Sequence, residues 1–316
     1  MLSIILTDVK GKKTKFNHPV KFNLIRSEDA PADGLYLLLS IEGRTNEIVK
    51  AEVFLDGDKI FYGWVDEQTE KTNKNGSVLE IKARSPEALL LDNEAMPQTY
   101  CLPSFGIIFE RHFRPLGFTG YHAPEKNYNG ELVISKGMSQ WDVLKHFCDK
   151  FTGTKPFVRY DGVIDIMGGI MCRDVLIGKT KIISLSHKFK RSALISDIIA
   201  RTYHAGSYKM SFKGKKAHSL DVRRQRYVNV VGSRLRSIAD VKKMISDAES
   251  AYESVEILYD SWLNCDKGDI LSVEGEKQKY IIREIQMSAD ASGEKTRLLA
   301  EVTENVDQQE YGIKNT

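Results

Sequence analysis

Six acids near the middle of the chain have the chemistry for acid–base catalysis: Asp92, Glu94, Glu110, Asp142, Asp161 and Asp165. Hydrolysis by paired carboxylates needs two such groups held at a fixed separation across a groove. No spacing among the six marks a pair, and Asp92 and Glu94 have no base or ligand pattern beside them. The four cysteines (Cys101, Cys148, Cys172, Cys265) are scattered without a Cys-x-x-Cys pair, which predicts buried free thiols. The seven histidines show no His-x-x-x-His and no His-Glu-x-x-His, and His112 and His146 fall in helix-like segments as structural residues. No Gly-x-Ser-x-Gly, phosphate-binding loop or dinucleotide glycine set occurs. The sequence therefore predicts no catalytic residue, no cofactor-binding residue and no metal ligand.

The charge is more informative. Between Lys181 and Arg236 there are fourteen Lys and Arg against two acids, Asp197 and Asp221, while the whole chain is only +3. The flanks are therefore net acidic, and this third of the chain is polarised towards an anionic partner or an acidic patch on a copy of itself. Its densest stretch is Lys209–Arg226, KMSFKGKKAHSLDVRRQR, whose pattern reads as strand, basic turn, strand. Lys213, Lys215, Lys216, Arg223, Arg224 and Arg226 are the candidate interface residues. Interleaved with Tyr208, Phe212 and Tyr227 they would suit phosphate contacts with base stacking. A basic loop facing an acidic protein neighbour needs less special geometry and is the preferred reading.

The elements that must position these residues follow from periodicity. At 316 residues, with 41% hydrophobic and 28% charged side chains, the chain has room for two or three globular domains. No run approaches the length of a membrane span. The N-terminus MLSIILTDVKGKK places its apolar stretch before its basic residues, the wrong order for a secretory signal, which predicts folding in the cytoplasm.

Residues 1–95 read as a small β domain: SIILTDV, a turn at Gly11, alternating strands, a hairpin signal at Asp56-Gly57 and another turn at Asn75-Gly76. Ser85-Pro86 predicts an N-cap and first helical position, so LLLDNEA is a short helical plug with Asp92 and Glu94 on its wet side. Residues 96–174 read as an inserted α/β module. Its helix from Ser104 is ended by Pro115 and Gly117. A second helix is capped by Ser139 and Asp142, stopped at Gly153 and striped with Trp141, Leu144, Phe147 and Phe151, and a hairpin follows at Asp161-Gly162. Residues 175–305 return to β, with a strand at Ser192–Tyr203 and one long helix (237–254) capped by Ser237. Its face carries Ile238, Val241, Ile245, Ala248, Tyr252 and Val255. Residues 306–316 read as an exposed tail.

The two β regions share an order. The first runs Gly57-Asp58, a strand, then Gly76 into a closing strand. The second runs Gly268-Asp269, strands, then Gly293 into a closing strand, with an added hairpin at Glu274–Gln278. On the residues alone, duplication and chance likeness between hairpins both remain open.

Four stretches in order, RSPEALLLDNEAMPQTY, KGMSQWDVLKHFC, DGVIDI and Trp262…Lys267-Gly268-Asp269-Ile270…Gly293…Thr296…Leu298, resemble the baseplate hub proteins of contractile phage tails and tailocins. That family includes the phage Mu tail hub, the late-control D proteins and the PBSX-type hubs. The resemblance implies a mainly β fold, two related small β-barrel domains flanking the α/β module, the plug closing the first barrel. It further implies a homotrimeric, pseudo-sixfold ring joining a hexameric tail tube to a trimeric central spike. The implied partners are the tail tube protein, the spike, other baseplate proteins and, transiently, DNA in the channel, with no membrane contact. The implied location is the host cytoplasm during assembly and then the tail of the particle. A cell-wall hydrolase at the tail tip and a nucleic-acid-binding protein are the alternatives.

Overall fold

The computed structural model describes residues 1–28, 30–74, 76–159, 162–167, 173–201, 207–229 and 238–302, the last from its backbone alone at 238–240. In chain order the first elements are strands β1 (Leu2–Asp8), β2 (Lys13–Phe16), β3 (Lys21–Ser27), β4 (Gly34–Ile41), β5 (Ile48–Leu55), β6 (Asp58–Asn73) and β7 (Gly76–Arg84), then helix α1 (Glu87–Asp92). A central group follows: β8 (Gln98–Cys101), α2 (Phe105–Ile108), β9 (Gly120–His122), β10 (Glu131–Ile134), α3 (Gln140–Phe147), β11 (Phe157–Val158) and β12 (Val163–Asp165). The last group is β13 (Asp174–Ile177), β14 (Ile182–Phe189), β15 (Asp197–Arg201), β16 (Tyr208–Lys213), α4 (Lys215–Ser219), β17 (Gln225–Asn229), α5 (Ile238–Ser250), β18 (Glu253–Tyr259), β19 (Ile270–Val273), β20 (Lys279–Asp290) and β21 (Gly293–Val302). The chain divides into two compact units. One holds residues 1–171, 260–264 and 284–296, and the other holds 172–259, 265–283 and 297–316.

The first unit is built on antiparallel ladders in the order β20-β3-β4-β7-β6-β5-β1-β2. The alternation read from the sequence becomes burial on one face. Leu2, Ile4 and Leu6 of β1, Leu35, Leu37 and Leu39 of β4, and Leu79, Ile81 and Ala83 of β7 are all buried. Asp56 and Gly57 both take positive φ, at 52° and 95°, the geometry of a tight hairpin between β5 and β6. The free edge at β2 is four residues long and carries Lys13 and Lys15, a device that discourages edge-to-edge pairing.

Ser85 departs from its expected role. Its hydroxyl accepts from the Asp33 N–H at 2.9 Å and donates to the Glu87 carboxylate at 2.6 Å, so it does not cap α1. Backbone bonds close that first turn instead, from Ala88 N–H to the Ser85 carbonyl and from Leu89 N–H to the Pro86 carbonyl. The plug also differs from expectation. Leu90 lies in the aromatic core of the module, with Phe105, Phe109, Phe113, Phe147 and Val143. Asp92 and Glu94 are exposed, as expected.

The module's local signals hold. Ser104 accepts from the Ile107 N–H, Ser139 and Asp142 form a reciprocal capping box, and Gly117 and Gly153 adopt left-handed φ where the helical turns that continue α2 (to Leu116) and α3 (to Thr152) stop. Leu144 and Phe147 are buried, Trp141 and Phe151 half-buried, and Val143 and Cys148 complete the stripe. Cys101 corrects one expectation: Cys148 and Cys265 are buried thiols but Cys101 is exposed, on the outer face of the β8–β10 pair. Cys172 lies outside the described residues.

The second unit has the order β14-β18-β21-β20-β19-β13 and a separate sheet of β16, β15 and β17. Taken with the first unit, the architecture is mainly β with large antiparallel ladders, and among the described residues no barrel closes. Closure needs first and last strands to meet in register. Here β13 pairs only β19, and in parallel, while β14 pairs only β18. Strands β13 and β14 were missed as elements by the sequence reading. The Ser192–Tyr203 strand shortens to β15, because residues 190–194 form turns; Thr202 and Tyr203 lie outside the described residues. The long helix stops at Ser250, so Val255 belongs to β18, where Val255 and Ile257 alternate inward. Ser237, Asp161, the Ile238 side chain and the tail 306–316 lie outside the described residues.

One buried histidine gives the fold a pH dependence. His112, 3% exposed, has Nδ1 2.9 Å from Gln140 Oε1 and Nε2 2.9 Å from the Tyr100 hydroxyl. A neutral ring with the proton on Nδ1 satisfies both, donating to Gln140 and accepting from Tyr100. Burial holds its pKa below the usual imidazole value, against a smaller opposing effect from Gln140. The unfolded chain therefore binds this proton where the folded chain does not, so His112's contribution is present above about pH 6.5 and falls as the pH drops below it. Thermal unfolding at pH 7.5 and pH 5.5 should show a larger fall in midpoint for the parent than for His112→Gln.

Candidate functional site

The six candidate cations sit around one small sheet, and its topology explains their arrangement. β15 is the central strand. It pairs antiparallel with β16, Ile198 opposite Phe212, and parallel with β17, Ile198 opposite Arg226. β16 and β17 flank β15 on opposite sides, so the chain leaving β16 crosses the end of β15 through α4 and the Leu220–Arg224 loop before it enters β17. The expected hairpin of residues 209–226 is thus corrected: β16 and β17 lie on opposite sides of β15. Lys213 ends one edge strand, Lys215 and Lys216 are in α4, Arg223 and Arg224 in the crossover loop, and Arg226 is on the other edge strand.

Burial gives this sheet two unlike faces. Ile198 and Ala200 pack on Val241 and Ile245 of α5, with Met210, Phe212 and Val228 joining them. The side chains in register with Asp197, Ile199 and Arg201 lie on the other face. Lys213 is in the Asp197 row, whereas Arg226 is in the Ile198 row. The six cations therefore do not form one patch on one face.

Their electrostatics also differ. Lys216 Nζ is 4.0 Å from Glu253 and 4.7 Å from the Tyr252 ring centroid, while its N–H donates to Glu249. Arg223 pairs with Asp221 at 3.2 Å, both fully in solvent, an arrangement that contributes little. Arg224 is held by its backbone, its N–H donating to Ser196 Oγ and its carbonyl accepting from that hydroxyl. Lys213, Lys215 and Arg226 are exposed, and no carboxylate of the described residues pairs with them. Asp197 is met by His218 Nε2 at 3.3 Å.

Five of the six acids considered for catalysis, all but Asp161, lie among the described residues and are occupied locally. Arg84 bridges Asp66 and Asp92 with two contacts to each, holding the Asp92 carboxyl below its usual range. Glu110 is paired bidentately with Arg114, Asp142 caps α3, and Glu94 accepts from the Gly137 N–H. Asp165 accepts from His122 and from the Met167 N–H. Among the described residues, no group of three His, Cys, Asp or Glu could hold a metal ion, and no helix is long and apolar enough to cross a membrane.

The residues quoted for the family resemblance have structural duties. Asp269, 1% exposed, accepts from the Arg173 N–H and guanidinium and from the Asp266 N–H. Thr296 donates to the Ser261 carbonyl and accepts from the Leu263 N–H. Trp262 meets Phe22 edge-on at 5.3 Å.

No family model and no curated protein matches the chain by sequence. Solved structures do match. The tail protein from Neisseria meningitidis MC58 is similar over 95% of this chain and 96% of its own, with a TM-score of 0.74 and 16% identity. The 43 kDa tail protein of prophage MuSo2 from Shewanella oneidensis matches over 95% and 97%, with a TM-score of 0.73 and 14% identity. The chain has the fold of these phage tail proteins. An E. coli component of the type VI secretion system, described as structurally similar to the T4 tail proteins gp27 and gp5, shares the fold at a TM-score of 0.57 and 10% identity. That match covers 91% of this chain and 74% of the other.

What sequence reading missed is the open sheet face itself. Ile199, Arg201, Tyr208 and Tyr227 share it, and the signal in the sequence was the interleaving of Tyr208, Phe212 and Tyr227 with cations, which does not tell the two faces apart. The sheet also depends on a close approach at Gly214, where an added Cβ would lie 2.1 Å from the Ile195 carbonyl oxygen. That neighbour is backbone and cannot swing aside. Gly214→Ala should cost about 1–3 kcal/mol in denaturant unfolding, measured as a lower midpoint at unchanged slope.

Proposed function

We propose that the chain is a structural hub protein of a phage or phage-like contractile tail baseplate, with no enzymatic role. The observation that carries this reading is a tail-protein fold extending over 95% of the chain at a TM-score of 0.74. On this reading three copies form a ring that joins a hexameric tail tube to a trimeric central spike. Each copy contributes two related barrel-like β regions, residues 1–95 and 175–305, around the inserted module at 96–174, with 306–316 as a tail. A cyclic trimer offers a sixfold surface only if each subunit carries the docking element twice. Paired turn glycines support the duplication: Gly57 and Gly268 have φ of 95° and 88°, Gly76 and Gly293 of 129° and 104°, and each second glycine joins two long antiparallel strands.

The partners on this reading are the chain itself, the tail tube and spike proteins, and other baseplate proteins, with DNA only passing the channel. Assembly takes place in the host cytoplasm and the product resides in the particle. Lys213, Lys215, Lys216, Arg223, Arg224 and Arg226 lie near a protein interface or the channel mouth. Rim contacts of this kind contribute roughly 0–1 kcal/mol each, so assembly should depend on salt and concentration.

The purified chain should show a native mass of three times 35.8 kDa at high concentration and low salt. Reversing Lys213, Lys215 and Arg226 to Glu should lower the trimer fraction without changing the circular dichroism spectrum. A monomeric mass at every concentration would overturn the reading. A reversed variant that assembles like its parent at both low and high salt would remove the basic residues from it. Clearing of purified cell walls in a zymogram would favour the hydrolase alternative.

A further inference from the structure

We infer that the open face of the β16-β15-β17 sheet is a docking surface for a second copy of this chain, anchored by Tyr208 and Tyr227. The inference deepens the ring reading above by naming a surface for it. Helix α5 covers one side of this small sheet through Ile198, Ala200, Val241 and Ile245, while the other side presents the exposed rings of Tyr208 and Tyr227. On that other side Tyr227 is in register with Ile199, and Tyr208 with Arg201. The tyrosines are 46% and 62% exposed, and their rings meet at right angles with centroids 5.6 Å apart. Two large aromatic rings supporting each other in solvent, over a half-buried isoleucine and beside an arginine, have the composition of an interface centre.

Charge chooses the occupant. Arg201 and Lys213 share this face, and no carboxylate of the described residues pairs with either. Asp197, the acid of the face, is already met by His218. The surface therefore asks for carboxylates. The chain itself supplies them: residues 181–236 sum to +12, so the remainder of a +3 chain sums to −9. A neighbour of the same sequence offers the complementary sign. Single-stranded nucleic acid is the poorer fit, because successive bases stack on aromatic faces and these rings stand at 90° to one another.

Arg226 separates this inference from the general basic-loop reading, since it lies in the row facing α5. Self-association would be followed by sedimentation velocity across a concentration series for the parent, Tyr208→Ala/Tyr227→Ala, Arg201→Glu and Arg226→Glu. The tyrosine pair and Arg201→Glu should each weaken association at least about tenfold, with Arg226→Glu changing it less. Arg201→Glu keeps the aromatic surface and reads the same face if the tyrosine variant fails to fold. Unchanged association in a folded tyrosine variant and in Arg201→Glu overturns the inference and leaves a trimeric ring standing. A parent that associates only as a dimer, lost with the tyrosines, supports the inference and overturns the ring. A parent monomeric throughout overturns both. Binding of a fluorescent single-stranded oligonucleotide that the tyrosine variant loses, with self-association intact, assigns the face to nucleic acid instead.

Discussion

Backbone hydrogen bonding along both edges of β15 is the interaction on which the candidate surface depends. A strand with neighbours on both sides leaves no unpaired N–H or C=O groups, and here one neighbour is antiparallel and the other parallel. Because β15 lies between β16 and β17, the chain must cross over it to pass from one to the other, which it does with five residues of helix and a short loop. That single topological choice sends Lys213 and Arg226 to opposite edges and opposite faces. It also fixes Arg224 through Ser196, whose hydroxyl serves its N–H and its carbonyl. A run of cations that is continuous in sequence is thereby dispersed in space.

The same constraint separates what could be read from the sequence and what could not. Local signals were legible because their physics is local. The capping box at Ser139 and Asp142, the left-handed stops at Gly117 and Gly153, and the Asp56-Gly57 turn each involve a few adjacent residues. Pairing between distant strands was not legible. The segment 209–226 has the pattern of a hairpin, and nothing within it reveals that a third strand, β15, lies between its halves. Ser85 shows the failure at one atom: Ser-Pro reads correctly as a helix start, yet the hydroxyl is taken by Asp33, 52 residues away, and by Glu87. Leu90, apolar in a short plug, gave no sign that the module's aromatic core would claim it.

Two buried polar side chains of the first unit, His112 and Ser85, are held by completed hydrogen bonding. His112 stays neutral between Tyr100 and Gln140, and Ser85 links the β3–β4 connection to α1. Both tie elements of the module or its entry to fixed neighbours, as a buried polar group does only when its partners are complete. Asp92, one of the six acids with catalytic chemistry, serves a similar end. Arg84 clamps Asp66 and Asp92 across the root of the same helix, which makes Asp92 a structural anchor on the surface.

Aromatic rings and charges would contribute differently to assembly at the small sheet. Exposed ion pairs are weak and screened by salt, so dispersed cations alone give orientation and encounter rate more than affinity. Tyr208 and Tyr227 supply what the cations lack: area whose burial is favourable irrespective of ionic strength and whose ring geometry is already set by the edge-to-face contact. A surface with both would assemble at a rate that salt reduces and dissociate at a rate set mainly by the tyrosines. Charge reversal at the rim and removal of the rings should therefore differ in kind, the first acting on association and the second on dissociation.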